Sequence, residues 1–314
     1  MAAWSGGPVL VTGGCGWLGS NVVAALLAAG AEVVALDLPE LVEASPASAA
    51  RLVAADISQP GEAAAAVAAS RPAAIVHLAY LLGPASQAEV ERAITVNCLG
   101  TARVFEAALA AAVERVVWLS SSAVYGPPEP YGEDQIDEDD LRGAPRLFYG
   151  STKRFDEEMA ALYTRERGLD QIALRLALGY GPPGRDRGFS AEVSNLFEGA
   201  FSGRPTSLVF PDAPQSWVYV DDVVAAILLA LQAAELEHRV FNVSSDTIYT
   251  PIEVGELLRG RFPAARLEFR TEGRAEWPAR LDYSRARREL GYVPMVDIEE
   301  GISRYAAHWE AHGR

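Results

Sequence analysis

The sequence contains little cysteine, which limits the kinds of protein it can encode. Its 314 residues include only two cysteines, Cys15 and Cys98, and a small disulfide-stabilised scaffold needs more. Neither cysteine has a spacing typical of a metal site, and Cys15 lies inside a glycine-rich segment. We therefore predict no bound metal and a reducing compartment, the cytoplasm.

Positive charge is also scarce. Lys and Arg total 27 against 42 Asp and Glu, which gives a formal net charge of −15 at pH 7. A nucleic-acid partner requires cations that displace counterions from the phosphates. We expect no nucleic-acid partner and instead a small-molecule substrate.

Long apolar runs are missing as well. The Ala-rich stretches 22–29 and 63–69 are too short to cross a bilayer. Residues 1–8 carry no basic segment ahead of an apolar one. We expect neither a membrane span nor an export signal.

The sequence does show a regular alternation. Short β-branched runs alternate with Ala- and Leu-rich helical patterns, which is typical of a parallel sheet covered by helices on both faces. One helix is predicted after Gly16 and another over residues 95–112. The predicted strands are Val9–Thr12, Glu32–Leu36, Arg51–Ala54, Ala74–His77, Arg115–Leu119 and Ile172–Leu176.

This alternation breaks at the Gly/Pro-rich segment 179–184 and returns with an apolar helix over 223–231 and a strand at Val240–Val243. We predict an α/β fold with two parts. A Rossmann-like doubly wound parallel sheet takes residues 1–177 and about 216–248, and a smaller C-terminal α/β substrate lobe takes about 178–215 and 249–314. Segment 129–140 holds seven carboxylates without an apolar period, which predicts a solvated loop.

Three glycines follow the first predicted strand. Gly13, Gly16 and Gly19 have the spacing that lets a chain turn sharply, approach a pyrophosphate and pack a helix on a strand. Trp17 and Leu18 would open that helix, where free N–H groups and the helix dipole favour phosphate. The triplet is a weak signal alone, but its place between a strand and a helix predicts a dinucleotide site.

Asp37 comes directly after the second predicted strand, 18 positions after Gly19. A carboxylate there accepts hydrogen bonds from the adenosine ribose and repels a 2′-phosphate. The next three residues, 38–40, offer no cation to compensate. We predict NAD rather than NADP, while a strand-end turn residue remains the alternative interpretation of Asp37.

Tyr149 and Lys153 are four positions apart and would share a helix face. A free tyrosine side chain has a pKa of about 10 in water. It therefore needs a neighbouring cation that lowers this pKa before it can serve as a base at neutral pH. This spacing is common and is not specific by itself.

Together with the glycine loop, this pair resembles the short-chain dehydrogenase/reductase superfamily, in its extended NAD-dependent epimerase/dehydratase branch. The resemblance covers nearly the whole chain and implies an NAD cofactor and a homodimer formed through helices near 95–112 and 149–168. Further segments match in order: Asp56-Ile57, His77-Leu78-Ala79, Asn97 within 96–101, residues 120–126, Arg175 through 181–182, and Val220-Asp221-Asp222.

In that family a Ser or Thr lies four positions before the Tyr of a Val-Tyr-Gly segment, which here is Ser121. The resemblance implies that Ser121 hydrogen-bonds the reacting oxygen and that Tyr149 exchanges its proton. Lys153 would lower the pKa of Tyr149 and bind the nicotinamide ribose. Ser122 is the alternative to Ser121, because three serines are consecutive.

The resemblance also assigns cofactor contacts outside the glycine loop. Asp56 and Ile57 would flank the adenine, and Leu78, Ala79 and Tyr80 would line the middle of the cofactor, with Asn97 also in contact. Leu78 and Ala79 could alternatively belong to the core. His77 lies on a buried strand, and we interpret it as a core histidine rather than a base.

The chain departs from the family at several positions. Sugar-nucleotide dehydratases follow their catalytic Thr with Asp-Glu, whereas Ser122-Ala123 stand here and cannot act as acid and base. Nucleotide-sugar epimerases usually carry an Asn and an Arg where this chain has Leu178 and Gln215. Charged hydrogen bonds are worth about 1.5–3 kcal/mol each, so we expect weak binding of a diphosphate.

We predict that the substrate pocket is formed by Leu82, Ser121, Ser122, Leu178 and Gln215, and that segment 80–84 serves as an apolar wall or as a lid. Our leading hypothesis is an NAD-dependent oxidoreductase that moves a hydride between NAD and a secondary alcohol or ketone of a small, non-nucleotide substrate. A sugar or nucleotide-sugar epimerase acting through a transient ketone is the alternative. A non-catalytic NAD sensor is the second alternative.

Overall fold

The computed structural model describes residues 4–45, 49–183, 189–210 and 212–312. Its strands are β1 Val9–Thr12, β2 Val33–Asp37, β3 Arg51–Ala54, β4 Ala74–His77, β5 Arg115–Ser121, β6 Gln171–Leu176, β7 Leu178–Tyr180, β8 Pro205–Phe210, β9 Gln215–Tyr219, β10 Val240–Val243, β11 Ile248–Tyr249 and β12 Arg266–Thr271. Seven of them form one parallel sheet in the order β10-β6-β5-β4-β1-β2-β3. The predicted doubly wound α/β fold is confirmed. The strand order reverses between β1 and β4, and such a reversal opens a crevice at the carboxyl ends of the strands.

Helices cover both faces of this sheet. They are α1 Trp17–Ala28, α2 Pro39–Ala44, α3 Glu62–Ser70, α4 Gly83–Ala88, α5 Val90–Ala93, α6 Gly100–Ala110, α7 Phe148–Arg167, α8 Phe189–Ser202, α9 Val220–Gln232, α10 Pro251–Arg261, α11 Ser284–Glu289 and α12 Ile298–His312. The helix predicted over 95–112 is composite, because a π-helical turn at Ile94–Leu99 joins α5 to α6. A 3₁₀ turn at Ser122–Tyr125 follows β5.

The central strands are mostly apolar because both of their faces are buried, and polar residues such as Thr12 and His77 stand at their carboxyl ends. On β1, Val9 and Val11 pack in one apolar cluster and Leu10 packs in another on the opposite face. All three side chains have no exposed area. This two-sided burial fixes the register of the strands and holds the loops at their carboxyl ends in place.

The remaining five strands form two small sheets. Strands β7, β9 and β11 form one, and β8 pairs with β12 in parallel to form the other. The sequence boundary predicted at about residue 216 falls inside β9, whose partners are β7 and β11. The chain therefore returns to the main sheet only with α9 and β10.

The acidic segment 129–140 is largely exposed, as its charge predicts, but three of its residues, Tyr131, Ile136 and Glu138, are buried. Ile136 is fully buried, and Glu138 is 4% exposed. The Glu138 carboxylate accepts from the Asn242 backbone N–H at 2.8 Å and lies 3.3 Å from Arg285 Nε. The prediction of a solvated position was therefore wrong for Glu138 alone, because the partners that compensate its charge lie more than a hundred residues away in the chain.

None of the described helices has the length and apolar character needed to cross a bilayer.

Candidate active site

A cavity of about 900 Å³ lies beside the carboxyl ends of the central strands. This volume is near the upper end of the roughly 300–1,000 Å³ typical of small-molecule and cofactor sites. Its wall includes almost every residue predicted from the sequence: Gly13, Gly16, Trp17, Leu18, Gly19, Asp37, Asp56, Ile57, Leu78, Ala79, Tyr80, Leu82, Ser121, Ser122, Tyr149, Lys153, Leu178 and Gln215. Asn97 is not among the lining residues.

The glycine loop has no space for side chains. Gly13 has φ +70°, and a Cβ at Gly19 would lie 1.9 Å from the Gly13 carbonyl oxygen. Gly16 precedes the first residue of α1 and has no side chain that could accept from the N–H groups of the first helical turn. This turn therefore presents backbone donors and the positive end of the helix dipole to the cavity, which suits a pyrophosphate.

Asp37 is held at the edge of this loop. Its carboxylate accepts from the backbone N–H of Cys15 and of Leu38, each at 2.9 Å. Burial raises the pKa of Asp37, and the two backbone donors oppose that rise. Each carboxylate oxygen has a second lone pair, so Asp37 can still accept from ribose hydroxyls.

Asn97 and His77 have structural partners close to the cavity. The Asn97 amide is fully buried and bonds both to the N–H of Leu81, at 2.8 Å, and to its carbonyl, at 3.1 Å. It therefore braces the loop that forms the wall. His77 bonds Thr12 Oγ1 at 2.7 Å and Thr101 Oγ1 at 3.0 Å. Burial lowers the pKa of His77 to about 3, so this histidine is uncharged, as expected of a core residue.

The three consecutive serines have different environments. Ser120 is buried and donates to Glu157. Ser121 is partly exposed, lines the cavity and accepts from the Ala123 N–H at 3.2 Å. Ser122 also lines the cavity but is 2% exposed. Of the three, Ser121 has the most accessible hydroxyl.

Tyr149 and Lys153 lie in the first two turns of α7, on the face that meets β5. Lys153 is 3% exposed, and its ammonium donates to the Leu119 carbonyl. The Lys153 Nζ atom is 6.0 Å from the centre of the Tyr149 ring. Burial lowers the pKa of Lys153 to about 7, although nearby carboxylates oppose that fall.

A buried ion pair anchors α7 to the main sheet one turn after Lys153. Arg175 on β6 donates to both oxygens of Glu157, at 2.9 and 2.6 Å. The Arg175 and Glu157 side chains are only 3% and 8% exposed. Such two-point pairing fixes the angle of the helix, so the side chains on its first two turns have a defined position.

The end of the cavity that is predicted to bind the substrate includes residues that sequence reasoning missed. Trp277 Nε1 donates to Gln215 Oε1 at 2.7 Å, and Gln215 is 2% exposed. Arg274, Ala275 and Glu276 line the cavity beside them. The presence of Trp277 within a charged segment was the signal in the sequence that pointed to these residues. It did not indicate that Gln215 would be the partner of Trp277.

Segment 80–84 lines the same end. Leu82 is 44% exposed and precedes α4, which begins at Gly83. Gln87 on α4 accepts from the Phe148 N–H at the start of α7 at 2.5 Å. The segment is therefore an apolar wall tied to the helix that carries Tyr149.

This fold and site define an enzyme that uses NAD. The glycine cradle, the helix N-terminus at the cavity and the acidic residue at the end of β2 fit the cofactor. Comparison with known proteins gives the family: residues 9–244 match the NAD dependent epimerase/dehydratase family. The chain belongs to this family.

Individual relatives agree with that assignment. The chain is 33% identical over 312 residues to a UDP-glucose 4-epimerase of Mycolicibacterium smegmatis, covering 94% of this chain and 96% of the relative. Among solved structures, UDP-glucose 4-epimerase from Thermotoga maritima with UDP-glucose has a TM-score of 0.88 at 26% identity, covering 98% and 100% of the two chains. UDP-glucose 4-epimerase from Thermus thermophilus in complex with NAD has a TM-score of 0.84 at 26% identity, covering 97% and 99%.

Proposed function

We propose that the chain is an NAD-dependent dehydrogenase that interconverts a secondary alcohol and a ketone in a small, non-nucleotide substrate. The contact between Gln215 and Trp277 carries this proposal. At this position the nucleotide-sugar epimerases usually present an Arg to the diphosphate, whereas here a neutral amide is occupied by an indole N–H. Leu178, which is 8% exposed, supplies no donor in place of the usual Asn.

The proposed chemistry assigns one task to each polar residue. Tyr149 accepts the proton of the substrate hydroxyl during oxidation and returns it during reduction. Ser121 donates a hydrogen bond to the same oxygen and holds it near the tyrosine. Lys153 stabilises the phenolate form of Tyr149 by its charge. Bound NAD takes up or supplies the hydride.

A nucleotide-sugar epimerase is the second candidate, and the similarity to UDP-glucose 4-epimerases favours it. In that reaction the ketone formed by oxidation would be reduced again from its other face before release. The same Tyr149 and Lys153 would serve both half-reactions, so the two candidates differ in cofactor balance. A dehydrogenase accumulates NADH, and an epimerase does not.

The experiment measures whether NADH accumulates. Purified protein is incubated with NAD and a panel of small secondary alcohols while NADH absorbance is recorded, and in parallel with UDP-glucose while UDP-galactose is measured. NADH formed in proportion to an alcohol consumed supports the proposal. Interconversion of the UDP-sugars without net NADH overturns it in favour of the epimerase. NAD binding with no turnover in either arm overturns both and favours a sensor.

We also propose that the chain forms a homodimer through α7 and the π-helical turn. On α7, Phe148, Phe155 and Leu162 are about half exposed (47%, 52% and 49%) and recur every seven residues. Ile94 and Leu99 on the π-helical turn are exposed to a similar degree, 52% and 49%. A side-by-side pair of such helices buries apolar stripes of this kind. Light scattering after gel filtration should give twice the monomer mass, and Phe155→Glu should halve it.

A further inference from the structure

A buried carboxyl group lies next to the proposed catalytic lysine on α7, and the proposed chemistry gives it no role. Asp156 is three positions after Lys153 on α7 and is fully buried. Its Oδ1 atom has no nitrogen or oxygen donor among the described residues. A buried carboxyl with so few donors is costly to retain, so its presence beside a buried ammonium needs an explanation.

Tyr80 connects the two groups. The Tyr80 hydroxyl is 2.9 Å from Asp156 Oδ2 and 3.0 Å from Thr152 Oγ1. The Lys153 Nζ atom lies 3.1 Å from the centre of the Tyr80 ring, well within the roughly 6 Å range of a cation–π contact. A phenol that donates to a carboxylate gains electron density in its ring, which strengthens the attraction of the ring for the ammonium.

Tyr80 also meets the proposed proton acceptor. The Tyr80 and Tyr149 rings are 5.8 Å apart and nearly perpendicular, at 88°. One side chain thus contacts the ammonium, the proposed base and the buried carboxyl. Because Tyr80 contacts both groups, we expect that removal of the Asp156 charge weakens the attraction between the Tyr80 ring and the Lys153 ammonium.

Glu157 and Cys98 also raise the pKa of Lys153, after Asp156 in size. The other titratable groups around Lys153 differ from Asp156 in their partners or in their charge. Glu157 is paired with Arg175, and His77 is uncharged because burial lowers its pKa to about 3. Burial, with the nearby Asp156 carboxylate, raises the pKa of the Cys98 thiol to about 12. The titratable groups that face Lys153 come from α7 (Tyr149, Asp156 and Glu157), from β4 and the loop after it (His77 and Tyr80) and from the π-helical turn (Cys98).

Asp156 has no arginine partner among the described residues, and Lys153 is the cation whose charge favours its ionised form. We propose that Asp156, held in place by Tyr80, is the buried counter-charge that keeps Lys153 an ammonium ion in the pH range in which the enzyme works. Asp156 is a positioning residue in this scheme, because it acts on Tyr149 through Tyr80 and Lys153. The inference rests on the proposed roles of Tyr149 and Lys153.

Burial opposes an ammonium at this position, and the pKa of Lys153 falls to about 7 although the charge of Asp156 raises it. The effect is mutual, since burial raises the pKa of Asp156 to about 7 and the charge of Lys153 opposes that rise. Removal of the carboxylate charge should therefore lower the pKa of Lys153. A nearby opposite charge typically shifts a pKa by roughly one unit or more.

The sequence makes this measurement unusually direct, because Lys153 is the only lysine among the 314 residues. Protein grown with lysine labelled with carbon-13 at Cε has one lysine side-chain signal, and its chemical shift against pH gives the Lys153 pKa. The variants are Asp156→Asn, Tyr80→Phe and the two combined. Glu158→Gln is the matched control, since it removes one carboxylate from an exposed position of the same helix.

We expect Asp156→Asn to lower the Lys153 pKa by roughly one unit or more, and Glu158→Gln to leave it unchanged. Tyr80→Phe should lower it by a smaller amount, and the double variant should match Asp156→Asn because the two residues act on one path. An unchanged or higher pKa in Asp156→Asn overturns the proposal. Additive shifts in the double variant overturn the part assigned to Tyr80.

Turnover provides a separate readout. The acidic limb of the kcat/KM profile should move to higher pH in Asp156→Asn, because a neutral Lys153 no longer stabilises the Tyr149 phenolate. If the Lys153 pKa falls and this limb does not move, the counter-charge proposal stands and the role assigned to Lys153 in the proposed function is wrong. The two readouts therefore distinguish failure of the counter-charge proposal from failure of the proposed function.

Discussion

The indole N–H of Trp277 donates to the buried side-chain oxygen of Gln215, 62 positions away in the chain. This contact joins the segment before α11 to the first residue of β9, at the substrate end of the cavity. It occupies the Gln215 amide with a neutral partner, while Arg274 is the cation that lines the cavity near Trp277. The first prediction tests the consequence of that arrangement for nucleotide binding.

Gln215→Arg should tighten the binding of UDP by about 10-fold or more, because a charged hydrogen bond is worth about 1.5–3 kcal/mol. Isothermal titration calorimetry with UDP in the presence of NAD measures the change. Trp277→Phe is the control, since it breaks the same contact without adding a cation and should not tighten binding. Tight binding of UDP by the unmodified chain would contradict the proposed non-nucleotide substrate.

Tyr149→Phe removes the proposed proton acceptor while keeping the ring. General acid–base catalysis contributes about 10²–10⁴-fold to a rate, so kcat should fall by at least about 100-fold. NAD affinity, measured by fluorescence titration, should stay nearly unchanged. Tyr163→Phe, at a partly buried position near the other end of α7, should leave both values as they are, and turnover retained in Tyr149→Phe would refute the assignment.

Asp37→Asn keeps the size of the side chain and removes its charge at the ribose end of the cavity. The KM for NAD should rise by about 10-fold or more, in line with the value of a charged hydrogen bond. The ratio of kcat/KM for NADP to that for NAD should also rise, because the repulsion of a 2′-phosphate is lost. The exposed Glu40→Gln should change neither value, and a preference of the unmodified enzyme for NADP would sink the assignment.

Gly19→Ala places a methyl group 1.9 Å from the Gly13 carbonyl, in contact with rigid backbone. Either α1 or the glycine loop must move, and such overpacking costs about 1–3 kcal/mol. We expect a lower melting temperature and loss of the stabilisation that NAD gives. Gly260→Ala is the matched control, because a Cβ there has nothing within 4 Å and lies in helix α10. Equal behaviour of the two variants would show that the loop tolerates a side chain.

The parts of the fold predicted well from sequence are those with local causes. The strands of the main sheet are runs of apolar β-branched residues, and their burial on both faces is visible in composition alone. The glycine loop is partly local, since Gly16 and Gly19 are limited by the Gly13 carbonyl, whereas Gly13 itself lies against the backbone of Leu78 and Ala79. The roles proposed for Ser121, Tyr149 and Lys153 came from resemblance to a family, and they stay predictions.

The parts that were missed depend on partners far apart in sequence. Glu138 looked solvated until the fold brought Asn242 and Arg285 to it. Trp277 gave no indication that it would meet Gln215. Tyr80 was predicted to line the cavity, but the sequence could not show that its hydroxyl reaches a buried carboxyl on another helix.

The burial of the single lysine has a practical consequence for chemical labelling. Reagents that acylate amines have two classes of target in this chain, the terminal amine and Lys153, and the second is 3% exposed. Attachment of a dye or a surface through amines will therefore occur at the terminus in intact molecules. A second acyl group on the chain identifies molecules in which the cavity has opened, so mass spectrometry of acylated protein counts opening events directly.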